Sequence, residues 1–207
     1  MEGVESRFSV FVPANYDPKK PTPTILFLHG MGESGTDGLL QLSVGLPLAI
    51  MKSRKRWPYI VIIPQKPSQQ ADWWSERNKL NLIIKQVEKE FKTDPHRRYL
   101  TGLSQGGHGT FRLAKHLAWQ FAAVAPVCGW IDPETAAKEL KDIPLWAFHG
   151  DQDMVVKVEG TTKAIDAMLA AGGSPSLTIF PGVAHNSWDA AYQQSPLAEW
   201  FLKHTLE

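Results

Sequence analysis

Short apolar runs alternate along this chain with longer stretches in which apolar residues recur every three or four positions. The runs Phe8 to Val12, Thr24 to Leu28, Tyr59 to Ile63, Arg98 to Thr101, Ala122 to Val127, Leu145 to Phe148 and Leu177 to Phe180 are rich in β-branched and aromatic residues and predict strands. Between them the spacing predicts helices over Leu39 to Met51, Glu76 to Phe91, Gln105 to Trp119, Pro133 to Leu140, Val158 to Ala170 and Asp189 to Lys203. The clearest stripe is Leu80, Ile83, Ile84, Val87 and Phe91, with Ser75 placed as its N-cap. Ser195-Pro196 reads as a fresh N-cap and first helical position inside the last stretch.

Near-continuous apolar strands separated by helices imply a mostly parallel sheet of about seven strands, covered on both faces. The first strand is the expected exception. The polar, proline-rich linker from Asn15 to Pro23 cannot form a crossover helix, so this strand should run antiparallel to the next one. The chain of 207 residues can bury one sizeable core, which makes residues 1–207 a single domain in expectation. No repeat or low-complexity tract interrupts it.

Charge changes this picture little. Twenty-two Lys and Arg face twenty-one Asp and Glu, a formal net charge of +1, and argue against nucleic acid as a partner. The basic run Lys52 to Arg56 reads as the solvated end of a helix. Cys128, the single cysteine, allows no internal disulfide and no zinc cluster, and its apolar surroundings read as core. No run is long enough to cross a membrane and no signal-peptide pattern opens the chain, which points to a cytoplasmic protein without membrane insertion. A removed export signal stays open, because the chain starts almost directly on structured sequence and ends in Leu206-Glu207.

Chemistry concentrates at one predicted strand-to-helix junction. "YLTGLSQGGHG", residues 99–109, holds Ser104 in G-x-S-x-G spacing, with Gly107 and Gly109 following. Such a turn holds the serine in a strained conformation with its hydroxyl above the sheet, and the flanking glycines avoid collisions with the neighbouring strand and helix. The lysine of a P-loop and the glycine spacing of a dinucleotide fold are both missing. A serine hydroxyl needs a base, and the base needs an anion to orient it, in the chain order Ser, acid, His on this type of sheet.

"WAFHGDQDMVV" supplies Asp151 and Asp153, and "FPGVAHNSW" supplies His185, each on a loop at the carboxyl end of a strand. Asp153 is preferred as the acid, since Asp151 lies near enough the strand end to cap the turn. His108 is expected to pack or cap, and His29 and His149 to bond loop backbone. An H-x-D-x-D metal reading of His149, Asp151 and Asp153 is disfavoured, so no metal and no cofactor is expected. Oxyanion donors are expected from the backbone N–H groups of Gln105 and of Met31 in "HGMGESG". Trp73, Trp74, Trp130 and Trp188 fall on predicted post-strand loops and are candidate substrate-binding residues, an aromatic wall for an acyl or aryl group. The alternative is that they pack loops over the core.

These stretches, with "LFLHGMGESGTD", "APVCGW" and "LAEWFL", resemble the α/β-hydrolase superfamily, and more closely its small lidless phospholipase/carboxylesterase-type esterases and peptidases related to the prolyl oligopeptidase catalytic domain. The resemblance runs almost end to end. It implies an α/β-hydrolase fold without a cap domain, with Ser104 as nucleophile, Asp153 and His185 as acid and base, and Met31 and Gln105 as oxyanion donors. The expected activity is that of a serine carboxylesterase on a small-molecule ester with a short or aryl acyl group. A peptidase or thioesterase on the same residues, or a non-catalytic ligand-binding protein on this fold, are the alternatives. A homodimer is compatible with it.

Overall fold

The computed structural model describes residues 7–207. Seven strands form one sheet in the order β1-β3-β2-β4-β5-β6-β7: β1 Phe8–Phe11, β2 Thr22–Leu28, β3 Ile60–Pro64, β4 Thr93–Leu103, β5 Ala123–Val127, β6 Trp146–Gly150 and β7 Ser176–Phe180. Every pairing but one is parallel. Among the described residues seven α-helices flank the sheet, five between strands and two after the last: α1 Leu46–Lys52, α2 Arg77–Glu90, α3 Gln105–Leu113, α4 Pro133–Leu140, α5 Glu159–Ala170, α6 Trp188–Gln193 and α7 Leu197–Phe201.

The alternation of side chains along each strand builds two cores. Leu26, Leu28, Ile60, Ile62, Leu100 and Val124 face α2, α3, α4 and α5, while Ile25, Phe27, Val61, Ile63, Tyr99 and Ala123 face α1, α6 and α7. Burying one Leu or Ile side chain contributes roughly 1.5–3 kcal/mol, so the fully buried β2, β3 and β5 and the second half of β4 anchor the sheet.

The antiparallel first strand pairs with β3, not with the strand next to it in sequence, in the register Phe8 to Pro64 and Phe11 to Val61. All seven residues of β2 are buried, which suits an interior position between two parallel partners, whereas the half-buried β1 suits an edge.

The stretch from Leu39 to Met51 is not one helix. A 3-10 turn at Leu40–Leu42, its first amides held by the Asp37 carboxylate, is separated from α1 by Gly45 at φ 65°. The helix after Ser104 ends at Leu113 rather than Trp119. Ser75 does not cap α2, because its N–H donates to Asp72 Oδ1 and the helix starts at Arg77. Ser195 does not cap α7 either. Its hydroxyl returns to the Ala191 carbonyl, and Pro196 takes the cap position. Arg56, in the basic run, is not merely solvated but donates to the carbonyls of Gln193 and Ser195 at the end of α6.

Between β5 and β6 the chain spends its residues on α4 alone, so no cap covers the carboxyl edge of the sheet among the described residues. No described helix is long and apolar enough to cross a membrane.

Candidate active site

Ser104 links β4 to α3 with φ 55° and ψ −119°, a backbone conformation that costs a non-glycine residue about 1–3 kcal/mol. Its own N–H donates to the Val127 carbonyl at 2.9 Å, and its carbonyl accepts from His108 N at 2.9 Å, so both neighbours hold the turn. A Cβ on Gly102 would stand 2.5 Å from the Gly106 carbonyl oxygen, and one on Gly106 would run into the carbonyls of Leu28 and His29. The glycines are therefore demanded by backbone packed against backbone, where no side chain can swing away.

His185, on the loop after β7, donates from Nδ1 to Asp153 Oδ2 at 2.7 Å and faces Ser104 Oγ from Nε2 at 2.9 Å. An ionised carboxylate only accepts, so the imidazole proton sits on Nδ1 and the Nε2 lone pair points at the serine hydroxyl. The other oxygen of Asp153 accepts the N–H groups of Val155 and Val156, each at 2.9 Å. Burial pushes the Asp153 carboxyl upward, but the bonds from His185, Val156 and Val155 outweigh it and leave the pKa below the ordinary carboxylate value. Asp151 is turned elsewhere, accepting from Gly182 N at 2.7 Å, so the three side chains of the H-x-D-x-D reading do not converge.

His149 bonds loop backbone as its place at a strand end suggested, but its second partner, Asp153, is one that sequence reasoning missed. His149 is fully buried, with Nε2 2.8 Å from the Val156 carbonyl and 3.2 Å from Asp153 Oδ2, and Nδ1 2.8 Å from Thr161 Oγ1. A ring nitrogen facing two acceptors carries a proton, so His149 donates toward the carboxylate as well as the loop backbone. The only available signal was its place four residues before Asp153. Cys128 lies under the site as well. Its thiol accepts from Ser104 N at 3.3 Å and, with Asp153 and His185, forms a group of ligand atoms within 4.8 Å of one another. Burial pushes this thiol up to about 12, so the sulfur stays protonated and apolar in character, as expected of a core cysteine.

Met31 lies on the loop after β2, and Gln105 directly follows Ser104. Gln105 is the first residue of α3, whose opening N–H groups have no intrahelical acceptor. The Met31 N–H likewise has no acceptor among the described residues, and its side chain is exposed.

The four tryptophans divide. Trp73 departs from the expected wall: it is 1% exposed, packs against Gly109 and donates from its indole to the His29 carbonyl at 3.0 Å. Trp74 is engaged by the guanidiniums of Arg77 and Arg112, each 4.8 Å from its ring centre, and lines a groove between α3 and α4. Trp130 stacks on His108 at 4.6 Å, and the Trp130 carbonyl accepts from that imidazole. Trp188, the first residue of α6 rather than a loop residue, sets its ring edge-on to His185 at 5.3 Å.

A parallel sheet of this topology with a serine on the sharp turn after its central strand defines the α/β-hydrolase fold. Residues 3–195 match the model of the Esterase family, described as "Putative esterase", and the chain belongs to that family. It is 27% identical over 176 residues to a bifunctional acetylxylan esterase/xylanase of Neocallimastix patriciarum, covering 78% of this chain and 24% of that one. It is also 27% identical over 181 residues to a "Probable feruloyl esterase C" of Aspergillus flavus, covering 85% of this chain and 66% of the relative. The chain thus spans a quarter to two thirds of these relatives' lengths. Among solved structures, a thermostable esterase superposes with a TM-score of 0.83 at 30% identity, over 96% of this chain and 59% of the other.

Proposed function

We propose that the protein is a serine carboxylesterase acting on small-molecule esters with short or aryl acyl groups through Ser104, His185 and Asp153. The observation that carries this reading is the unbroken line of hydrogen bonds from Asp153 through His185 to Ser104 Oγ. His185 Nε2 takes the hydroxyl proton as Ser104 Oγ bonds to the ester carbonyl carbon. The carbonyl oxygen becomes an anion held by the N–H groups of Met31 and Gln105. The imidazolium, steadied by Asp153, returns its proton to the departing alcohol as the carbon–oxygen bond breaks. A water molecule, deprotonated by the same nitrogen, then releases the acid and restores the serine.

The uncapped edge leaves room for an ester whose alcohol is large, and the acetyl and feruloyl groups in the relatives' names are a short and an aryl acyl group. Trp188 beside His185 supplies an apolar face for either. Ser104→Ala should abolish hydrolysis of p-nitrophenyl acetate without altering the melting temperature. Unchanged turnover would remove the proposal, and faster cleavage of a matched thioester or amide than of the ester would replace the bond type.

A further inference from the structure

Lys66, just beyond β3, has no exposed surface, although its side chain ends in an ammonium. Lysine is rarely buried so completely without a partner that matters to the fold or the site. All but one of its hydrogen bonds lead to one segment, residues 29–35, the loop that carries Met31. The backbone N–H of Lys66 donates to His29 Nε2 at 3.1 Å. A nitrogen that accepts has no proton, so the proton of this neutral ring lies on Nδ1, which donates to the Gly30 carbonyl at 2.6 Å. Burial lowers the His29 pKa to about 4, which keeps the ring neutral and this tautomer in place. In a trans peptide the C=O and N–H point in opposite directions, so holding the Gly30 carbonyl also aims the Met31 N–H.

The other end of Lys66 holds the next peptide. Its ammonium donates to Ser34 Oγ and, at 3.0 Å, to the Ser68 carbonyl. The Ser34 hydroxyl in turn donates a hydrogen bond to the Met31 carbonyl at 2.7 Å. The Lys66 carbonyl also accepts from Gly35 N at 2.9 Å, closing the loop from a third side.

We propose that Lys66 is a positioning residue for transition-state stabilisation, fixing both peptide groups that flank Met31, one through the His29 ring and one through the Ser34 hydroxyl. This rests on the reading of Met31 N–H as an oxyanion donor. The charged groups facing the ammonium are Glu33 on the same loop, Glu76 at the cap of α2 and Asp72 before it, with His29 neutral. Burial outweighs the three carboxylates and lowers the Lys66 pKa to about 8. Above that pH the amine loses its charge and its hydrogen bond to Ser34 weakens. Between about pH 8 and 10.5 the unfolded chain binds the proton that the native state has shed, so this group makes the fold more stable as pH rises while the loop loses its anchor.

Lys66→Met and Ser34→Ala test the assignment beside Ser104→Ala, with kcat and KM for p-nitrophenyl acetate, the Ki of a trifluoromethyl ketone that forms an oxyanion on the serine, and melting temperature. Each of the first two variants should lower kcat about tenfold or more with KM within about twofold, and weaken the ketone by the same factor. The wild type should lose kcat above pH 8, and Lys66→Met should lack that limb. Ser34→Ala removes one hydroxyl from a half-exposed loop residue and keeps the test alive if Lys66→Met does not fold. Ser34→Ala with kcat and Ki within about twofold of wild type would overturn the proposal, as would an alkaline limb that survives in Lys66→Met. Those results beside an inactive Ser104→Ala would sink the Lys66 assignment alone, whereas an active Ser104→Ala would sink the esterase reading beneath it.

Discussion

Replacing Asp153 by Asn changes no heavy-atom shape, yet the contacts around this carboxylate make the outcome severe. Oδ1 accepts the two N–H groups of Val155 and Val156, and an NH2 placed there would meet two donors. The asparagine therefore keeps its oxygen on the backbone amides and turns its NH2 toward His185 Nδ1, while the His149 N–H that faced Oδ2 falls back on its other acceptor, the Val156 carbonyl. Facing a donor, Nδ1 must accept, which moves the ring proton to Nε2, the atom 2.9 Å from Ser104 Oγ. A protonated Nε2 cannot take the hydroxyl proton. The same tautomer error in a serine protease lowers kcat about 10⁴-fold, equivalent to roughly 5.5 kcal/mol of activation free energy. We expect a loss of that order for Asp153→Asn in p-nitrophenyl acetate hydrolysis, with an equal drop in the rate of fluorophosphonate labelling and a melting curve that still shows a cooperative fold. Asp151→Asn, whose carboxylate meets only Gly182 N–H, should stay within about twofold of wild type. Asp153→Asn activity within tenfold of wild type would refute the tautomer argument, and a larger loss for Asp151→Asn would move the acid to that residue.

Two further outcomes follow from the turn and the core around it. Gly106→Ala presses a methyl group into the carbonyls of Leu28 and His29, so overpacking should cost about 3 kcal/mol and lower the melting temperature by roughly 6–12 °C, read by calorimetry; a shift under about 2 °C would show that the strand spacing yields. Cys128, buried and with its thiol pushed up to about 12, should give no reaction with a chromogenic disulfide at pH 8 in the native protein and one equivalent in guanidinium; rapid native labelling would contradict the burial.

Local signals carried much of this protein. Strand periods and the glycines around Ser104 were readable because each depends on neighbours within a few residues. His185 and Asp153 were expected together from chain order, since the loops that follow parallel strands emerge at the same edge of the sheet. The partner of β1 was not readable, because an edge and an interior strand differ in what covers them rather than in local propensity. Trp73 and Trp74 depart from the expected wall for a related reason. Trp73 and Trp74 are adjacent and both follow β3, yet one is sealed against Gly109 and the other is engaged by two arginines.

The amino-acid sequence by itself determined the class of fold, the strained serine turn and the order of the groups that follow it, all properties of short segments and their spacing. Only the tertiary structure decided that Lys66 is buried beneath the loop bearing Met31 and that His149 backs Asp153. Those contacts join elements distant along the chain or pack a side chain by the curvature of its loop, and their energy depends on which donors and acceptors have lost water, a quantity set only when the whole sheet has closed.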